Sequence, residues 1–91
     1  MSLERAAAER EIERVLLEQW DPLGVRDDQS AEHAYAPYAH DIYGLLARGA
    51  SDMQIVRHLH HIERDNLAHP ELAGRDLSHV ARALRRLESQ I

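Results

Sequence analysis

The run His58-Leu59-His60-His61 is the chain's densest group of potential metal ligands. On a helix, His58, His61 and Asp65 fall at i, i+3 and i+7 along one flank with Gln54 nearby, and imidazole and carboxylate groups stacked in this way suit a divalent cation. Better-defined metal patterns are missing: there is no HExxH pair of the zinc-protease kind and no set of ExxH segments of the di-iron kind. Seven histidines scattered over 91 residues also make a chance cluster easy to form. A solvated helix flank is the expected role, with a divalent-metal site of His58, His61 and Asp65 as the alternative.

Acid–base chemistry has its residue types but no arrangement. Asp41, Glu63 and Asp76 with His40 and His79 include carboxylates and imidazoles, yet no spacing gathers them around one pocket. None of the five serines sits in a nucleophile elbow. A small helical domain also leaves little volume for a substrate cleft once its core is filled. The expectation is a protein that is not an enzyme and uses no cofactor.

Arg82, Arg85 and Arg86 form a basic patch on the outward side of the last helical segment, with Arg75 close by. Such a patch suits phosphate or an acidic protein surface. No aromatic residue is interleaved with it, Glu88 is adjacent, and the net charge of −5 disfavours general nucleic-acid binding. A protein partner is expected, with a nucleic-acid accessory role as a further alternative. Tyr43, at the edge of an apolar helix face, is a candidate interface anchor, including for a homodimer, because tyrosine offers apolar area with a polar tip.

What is missing from the composition removes other chemistries. The chain has no Cys, Lys, Thr or Phe, so disulfides, thiolate nucleophiles, Schiff bases and a phosphate-binding P-loop are excluded. All eleven basic residues are Arg. No apolar run approaches the roughly 18 residues of a membrane span, and Met1-Ser2-Leu3-Glu4-Arg5 lacks the apolar core of a secretory signal. A cytoplasmic, single-domain protein spanning residues 1–91 is expected.

The elements that must position these groups are four helices, read from apolar spacing at about 100° per residue. The first runs from Leu3 to Trp20, with Ala8, Ile12, Val15, Leu16 and Trp20 on one side. Asp21-Pro22 ends it, since proline disfavours helical geometry in the residue before it. A polar loop spans Val25 to Glu32. The second helix starts at Pro37 and stops at Gly49, burying Tyr38, Ile42, Leu45 and Leu46, with Tyr35 extending that face. Ser51 and Gln54 form a capping-box pattern opening the third, which runs to Asn66 with Ile55, Val56, Leu59 and Ile62 inward. The short link predicts that helices two and three lie side by side, antiparallel. Pro70 and Gly74 mark a loop, Asp76 is a candidate cap, and Leu77, Val80, Ala81, Leu84, Leu87 and Ile91 line the last helix.

Trp20-Asp21-Pro22-Leu23-Gly24, followed by Tyr35 and Tyr38, Ile42, Leu45-Leu46 and Gly49, then Ile55, Leu59 and Ile62-Glu63, resembles in order the YugE-like family of small bacterial proteins, a domain of unknown function. The resemblance covers Ile12 to Glu63, and the WDPxG element carries most of it. It implies a compact all-helical domain and brings no catalytic residue.

The residues account for the same segment independently. Asp21 can cap a single tight helical turn begun by Pro22, with Gly24 free to take a positive φ as the chain reverses. Trp20 continues the apolar stripe of the first helix, and its indole N–H needs an acceptor. Glu63 falls within the apolar arc of the third helix, where an unpaired carboxylate would be costly. A hydrogen bond from Trp20, a tyrosine hydroxyl or an amide of the Pro22–Gly24 turn to Glu63 is expected, making Trp20, Asp21, Pro22, Gly24 and Glu63 a structural latch. The fold class is all-α, a compact bundle of four main helices with a short WDPLG turn after the first. The function expected of it is protein interaction or regulation, of the kind an immunity protein performs.

Overall fold

The interior is supplied by apolar residues spaced three or four apart. Ala8, Ile12, Leu16 and Trp20 from the first helix meet Ala39, Ile42 and Leu46 from the second, Ile55, Leu59 and Ile62 from the third, and Val80, Ala81 and Leu84 from the fourth. The computed structural model, which describes residues 4–90 apart from the side chains of Pro70 and Ala73, is all-helical. Its α-helices are α1 (Arg5–Val15), α2 (Ala36–Ala47), α3 (Asp52–His61) and α4 (Ser78–Arg85), packed as a compact bundle. Leu3 and Ile91, expected at the two ends of the helical pattern, lie outside the described residues.

Two of the helices end in a widened turn. Leu16–Trp20 continues α1, and Ile62–Asn66 continues α3, each as a π turn. The i→i−5 bonds are Asp21 N–H to the Leu16 carbonyl at 2.9 Å and Leu67 N–H to the Ile62 carbonyl at 3.0 Å. In an α-helix, successive i+4 positions drift by about 40° around the axis. Widening the last turn offsets that drift, so Trp20 stays over Ile12 and Leu16 and is buried at 3% exposure. Such turns are uncommon and often mark functional sites.

The caps follow local chemistry. Ser51 Oγ accepts the Gln54 N–H at 3.2 Å while Gln54 Oε1 accepts the Ser51 N–H at 2.8 Å, a complete capping box. At the end of α2, Gly49 takes φ 73°, with its N–H on the Leu46 carbonyl and the Ala50 N–H on the Leu45 carbonyl. That pair of bonds is a Schellman motif, which needs a left-handed residue best supplied by glycine.

Three expectations require correction. Consecutive helices α2 and α3 are not the main packing partners: α2 packs on α1 and α3 on α4, with α4 also touching α1 and its π turn. The Schellman reversal and Ala50-Ser51 turn the chain away from α2, and the buried faces then select other neighbours. The polar loop contains a 3₁₀ turn, Gln29–Ala31, nucleated by Asp28, whose Oδ1 accepts the Ser30 N–H at 3.0 Å. The last helix is short: Asp76 Oδ1 does accept the Ser78 N–H at 2.9 Å, but α4 ends at Arg85. Beyond it the backbone tightens, with Leu87 N–H on the Leu84 carbonyl at 3.0 Å, and passes to a 3₁₀ turn, Glu88–Gln90.

Candidate functional site

Glu63 is the buried charged residue of the core, at 0% exposure. It lies on the π turn after α3, as Trp20 lies on the one after α1, and the two are bonded: Trp20 Nε1–H donates to Glu63 Oε2 at 2.9 Å. Arg75 Nη2 donates to the same oxygen at 2.8 Å, and His60 Nδ1 lies 2.8 Å from Oε1. Both carboxylate oxygens are therefore satisfied, which is the condition for retaining a charge in an apolar interior. Trp20 is further fixed by Tyr35, ring centroids 5.4 Å apart, and by Tyr38 in an edge-to-face contact at 6.3 Å.

Asp21 departs from the role read for it. It does not cap a following helical turn. It takes the left-handed conformation, φ 36° and ψ 57°, because α1 runs on through Trp20 and the chain must reverse at Asp21 itself. Aspartate tolerates this region better than most side chains. Its carboxylate accepts the Val25 N–H at 2.9 Å, the Arg26 N–H at 3.0 Å and the Tyr35 hydroxyl at 2.8 Å. Burial opposes its charge, but these bonds and the Arg26 guanidinium outweigh it and hold its pKa below the usual 3.8. Pro22 occupies the second position of a turn closed by the Gly24 N–H on the Asp21 carbonyl at 3.1 Å, and Gly24 takes φ 67°. The tyrosine hydroxyl and the turn amide considered for Glu63 serve each other instead: Leu23 N–H donates to Tyr35 Oη at 3.0 Å. Burial, reinforced by Asp21, pushes the Tyr35 phenol well above its ordinary 10.0, so it remains a donor.

The π turn's terminal carbonyls are also claimed. Arg26 Nη1 donates to the Glu18 carbonyl at 2.8 Å, and His79 Nε2 from α4 reaches the Gln19 carbonyl at 3.2 Å. Trp20 and Glu63 thus meet directly, and Tyr35 ties Asp21 and the Pro22–Gly24 turn to the Trp20 ring; sequence reasoning overlooked His60 and Arg75 on Glu63, and Arg26 and His79 on the π-turn carbonyls. A usable signal existed for His60, which stands three residues before the acid that must be neutralised.

The histidine flank is arranged differently from a metal site. His61 Nδ1 lies 2.8 Å from Asp65 Oδ2, while Arg64 binds both oxygens of Asp65 at 3.0 and 3.2 Å. His58 is half-buried, and its Nε2 is sealed from solvent without a hydrogen-bond partner. Burial holds its pKa below the usual 6.5, against the pull of nearby Asp41. Among the described residues, no three His, Asp or Glu side chains come together as metal ligands. His58, His60, His61, Gln54, Arg57 and Arg64 instead line one groove of about 610 Å³ with Leu45.

A second groove, of about 530 Å³, is lined by Arg82, Arg85 and Arg86 with Asp52, Glu88 and Ser89. Arg85 is paired with Asp52 at 3.0 Å and lies 3.7 Å from Glu88. Arg75 does not join this patch, since it turns inward to Glu63. Tyr43 is half-buried, and the Arg5 guanidinium sits 4.9 Å above its ring. No helix among the described residues is long and apolar enough to cross a membrane. Comparison with protein-family models, curated proteins and solved structures gives no match to this chain.

Proposed function

We propose that this chain is a non-enzymatic, cytoplasmic interaction module whose α4 face binds an acidic surface of a partner protein. The observation that carries this reading is the state of three arginines. Arg82 on α4 and Arg86 at its C-cap are exposed, four residues apart, and form no ion pair with a described residue, while Arg85 between them is engaged by Asp52. A carboxylate entering the groove gains charge-assisted bonds without first breaking any. Asp52 and Glu88 in the same wall disfavour the continuous negative charge of a nucleic-acid backbone more than the discrete carboxylates of a protein surface. The acids of the latch support binding over catalysis, since buried Glu63 and partly buried Asp21 are occupied by structural bonds. The resemblance of the Trp20–Gly24 segment to the YugE-like proteins brings no catalytic residue, which fits the same reading.

The test is affinity purification from the native host with the wild-type chain and with Arg82→Glu/Arg86→Glu. Charge reversal at two exposed positions changes stability by no more than about 0.5 kcal/mol each, so the variant remains a folded control. An acidic partner held by the wild type, released by salt and absent from the variant, supports the proposal. Identical sets of proteins on both would overturn it.

A further inference from the structure

We propose that the groove between Leu45 of α2 and the outer face of α3 is a binding site for the phosphate group of a small organic ligand, gripped by Arg57 and Arg64 with His60 and His61 between them. This goes beyond the partner surface assigned to α4 and uses a different helix.

The placement follows from helical spacing. Arg57 and Arg64 are two turns apart, about 10 Å along the axis, and their long side chains can converge over the turn between them. His60 and His61 occupy that turn. All four side chains, with Leu45, line the same groove. Arg57 makes no hydrogen bond or ion pair with a described residue, so its guanidinium is unspent. Arg64 is held only by Asp65, its neighbour in sequence, in an exposed pair; such pairs are worth about 0–1 kcal/mol and yield readily to a dianion.

The two imidazoles are aimed by carboxylates behind them. His60 Nδ1 is taken by buried Glu63 at 2.8 Å and His61 Nδ1 by Asp65 at 2.8 Å, so Nε2 is the nitrogen each ring has left for a ligand. The same geometry orients a metal-binding histidine, but two guanidiniums in the wall repel a cation and attract an oxyanion. A tetrahedral phosphate also accepts from several directions at once, which matches a groove lined by two guanidiniums and by imidazoles between them in sequence. Leu45 gives the organic portion an apolar contact. Through His60 the site touches Glu63, and through Glu63 the Trp20 indole.

Titration of the full chain with phenyl phosphate and with inorganic phosphate, followed by backbone and imidazole NMR shifts, tests the assignment. Saturable changes at Arg57, His60, His61 and Arg64 are expected, with phenyl phosphate binding more tightly; equal affinity for both still supports the site, with the free ion as its ligand. Arg57→Gln, an exposed change outside the folded hydrogen-bond network, should weaken binding about tenfold, as the loss of a charged hydrogen bond does, while Arg10→Gln, on the exposed side of α1 and away from this groove, should leave it unchanged. No saturation, equal weakening by both variants, or an unaltered affinity in Arg57→Gln would overturn the proposal. So would uptake of zinc chloride at His60 and His61 by a chain that binds neither phosphate.

Discussion

The indole of Trp20 and the carboxylate of Glu63, 43 residues apart in sequence, are joined by a 2.9 Å hydrogen bond at the centre of the molecule. Each stands on a π turn that prolongs an α-helix. The bond fixes the end of α1 against the end of α3, and Arg75 and His60 complete the carboxylate's contacts from the following loop and from α3.

Removing the acid and removing its partners should have unequal effects. Glu63→Gln keeps an acceptor for Trp20 and leaves Arg75 and His60 room to be hydrated, so a loss of about 1–3 kcal/mol is expected, the size of a broken charged hydrogen bond. Arg75→Leu combined with His60→Leu strands a buried carboxylate and should cost about 3–5 kcal/mol. Urea denaturation of both variants checks the order, and the reverse order would contradict the account.

Trp20→Phe retains a ring but strips the donor, whereas Trp20→Ala empties the space between Tyr35 and Tyr38. The alanine variant should lose about 3–5 kcal/mol and the phenylalanine variant clearly less. Calorimetric melting distinguishes them.

Asp21 supplies an acid-sensitive contribution. Its folded pKa lies below the unfolded 3.8, so the native state binds fewer protons and the stabilisation is fully present above pH 3.8. It is lost as pH falls through the lowered value. Asp21→Asn should flatten this part of the acid unfolding curve, measured by circular dichroism at fixed urea.

His58 and His33 act near pH 6.5 with opposite signs. Burial depresses His58 below 6.5, so stability declines as pH drops from 6.5 through its folded pKa. His33 is raised above 6.5 by its hydrogen bond to Glu13, so its contribution is present below 6.5 and fades as pH rises through the folded value. His58→Gln should make the protein relatively more stable on the acid side of 6.5, leaving the slope of His33 alone. Denaturation midpoints at several pH values test this, and an unchanged profile would count against a desolvated His58.

Much of the fold is legible in the residues because local chemistry and tertiary packing agree. Ala8, Ile12, Leu16 and Trp20 repeat every four positions, Ser51 and Gln54 encode their own cap, and Gly49 is the residue that a left-handed helix end requires. Glu63 within an apolar arc announces a buried acid that must be paired. Other features have no local signature. The π turns depend on what Trp20 and Glu63 meet across the core, so nothing in residues 16–20 or 62–66 declares them. Arg75 looks like one more surface arginine until α4 and its leading loop fold back. The packing of α2 on α1, rather than on its sequence neighbour α3, is set by which faces are apolar on all four helices together. Of the groove on α3, the histidines are visible in the sequence, but Leu45 joins them only through tertiary structure.

The arrangement around Glu63 also bears on when the chain can fold during synthesis. Its indole partner is made 43 residues earlier, but the Arg75 guanidinium comes 12 residues later, and α4, which supplies Val80, Ala81 and Leu84 to the interior, comes later still. A nascent chain that has emerged only through α3 holds an acid whose guanidinium partner is missing and an apolar face that α4 has yet to cover. Completion of this interior therefore depends on α4, so the first three helices alone leave part of their apolar surface uncovered.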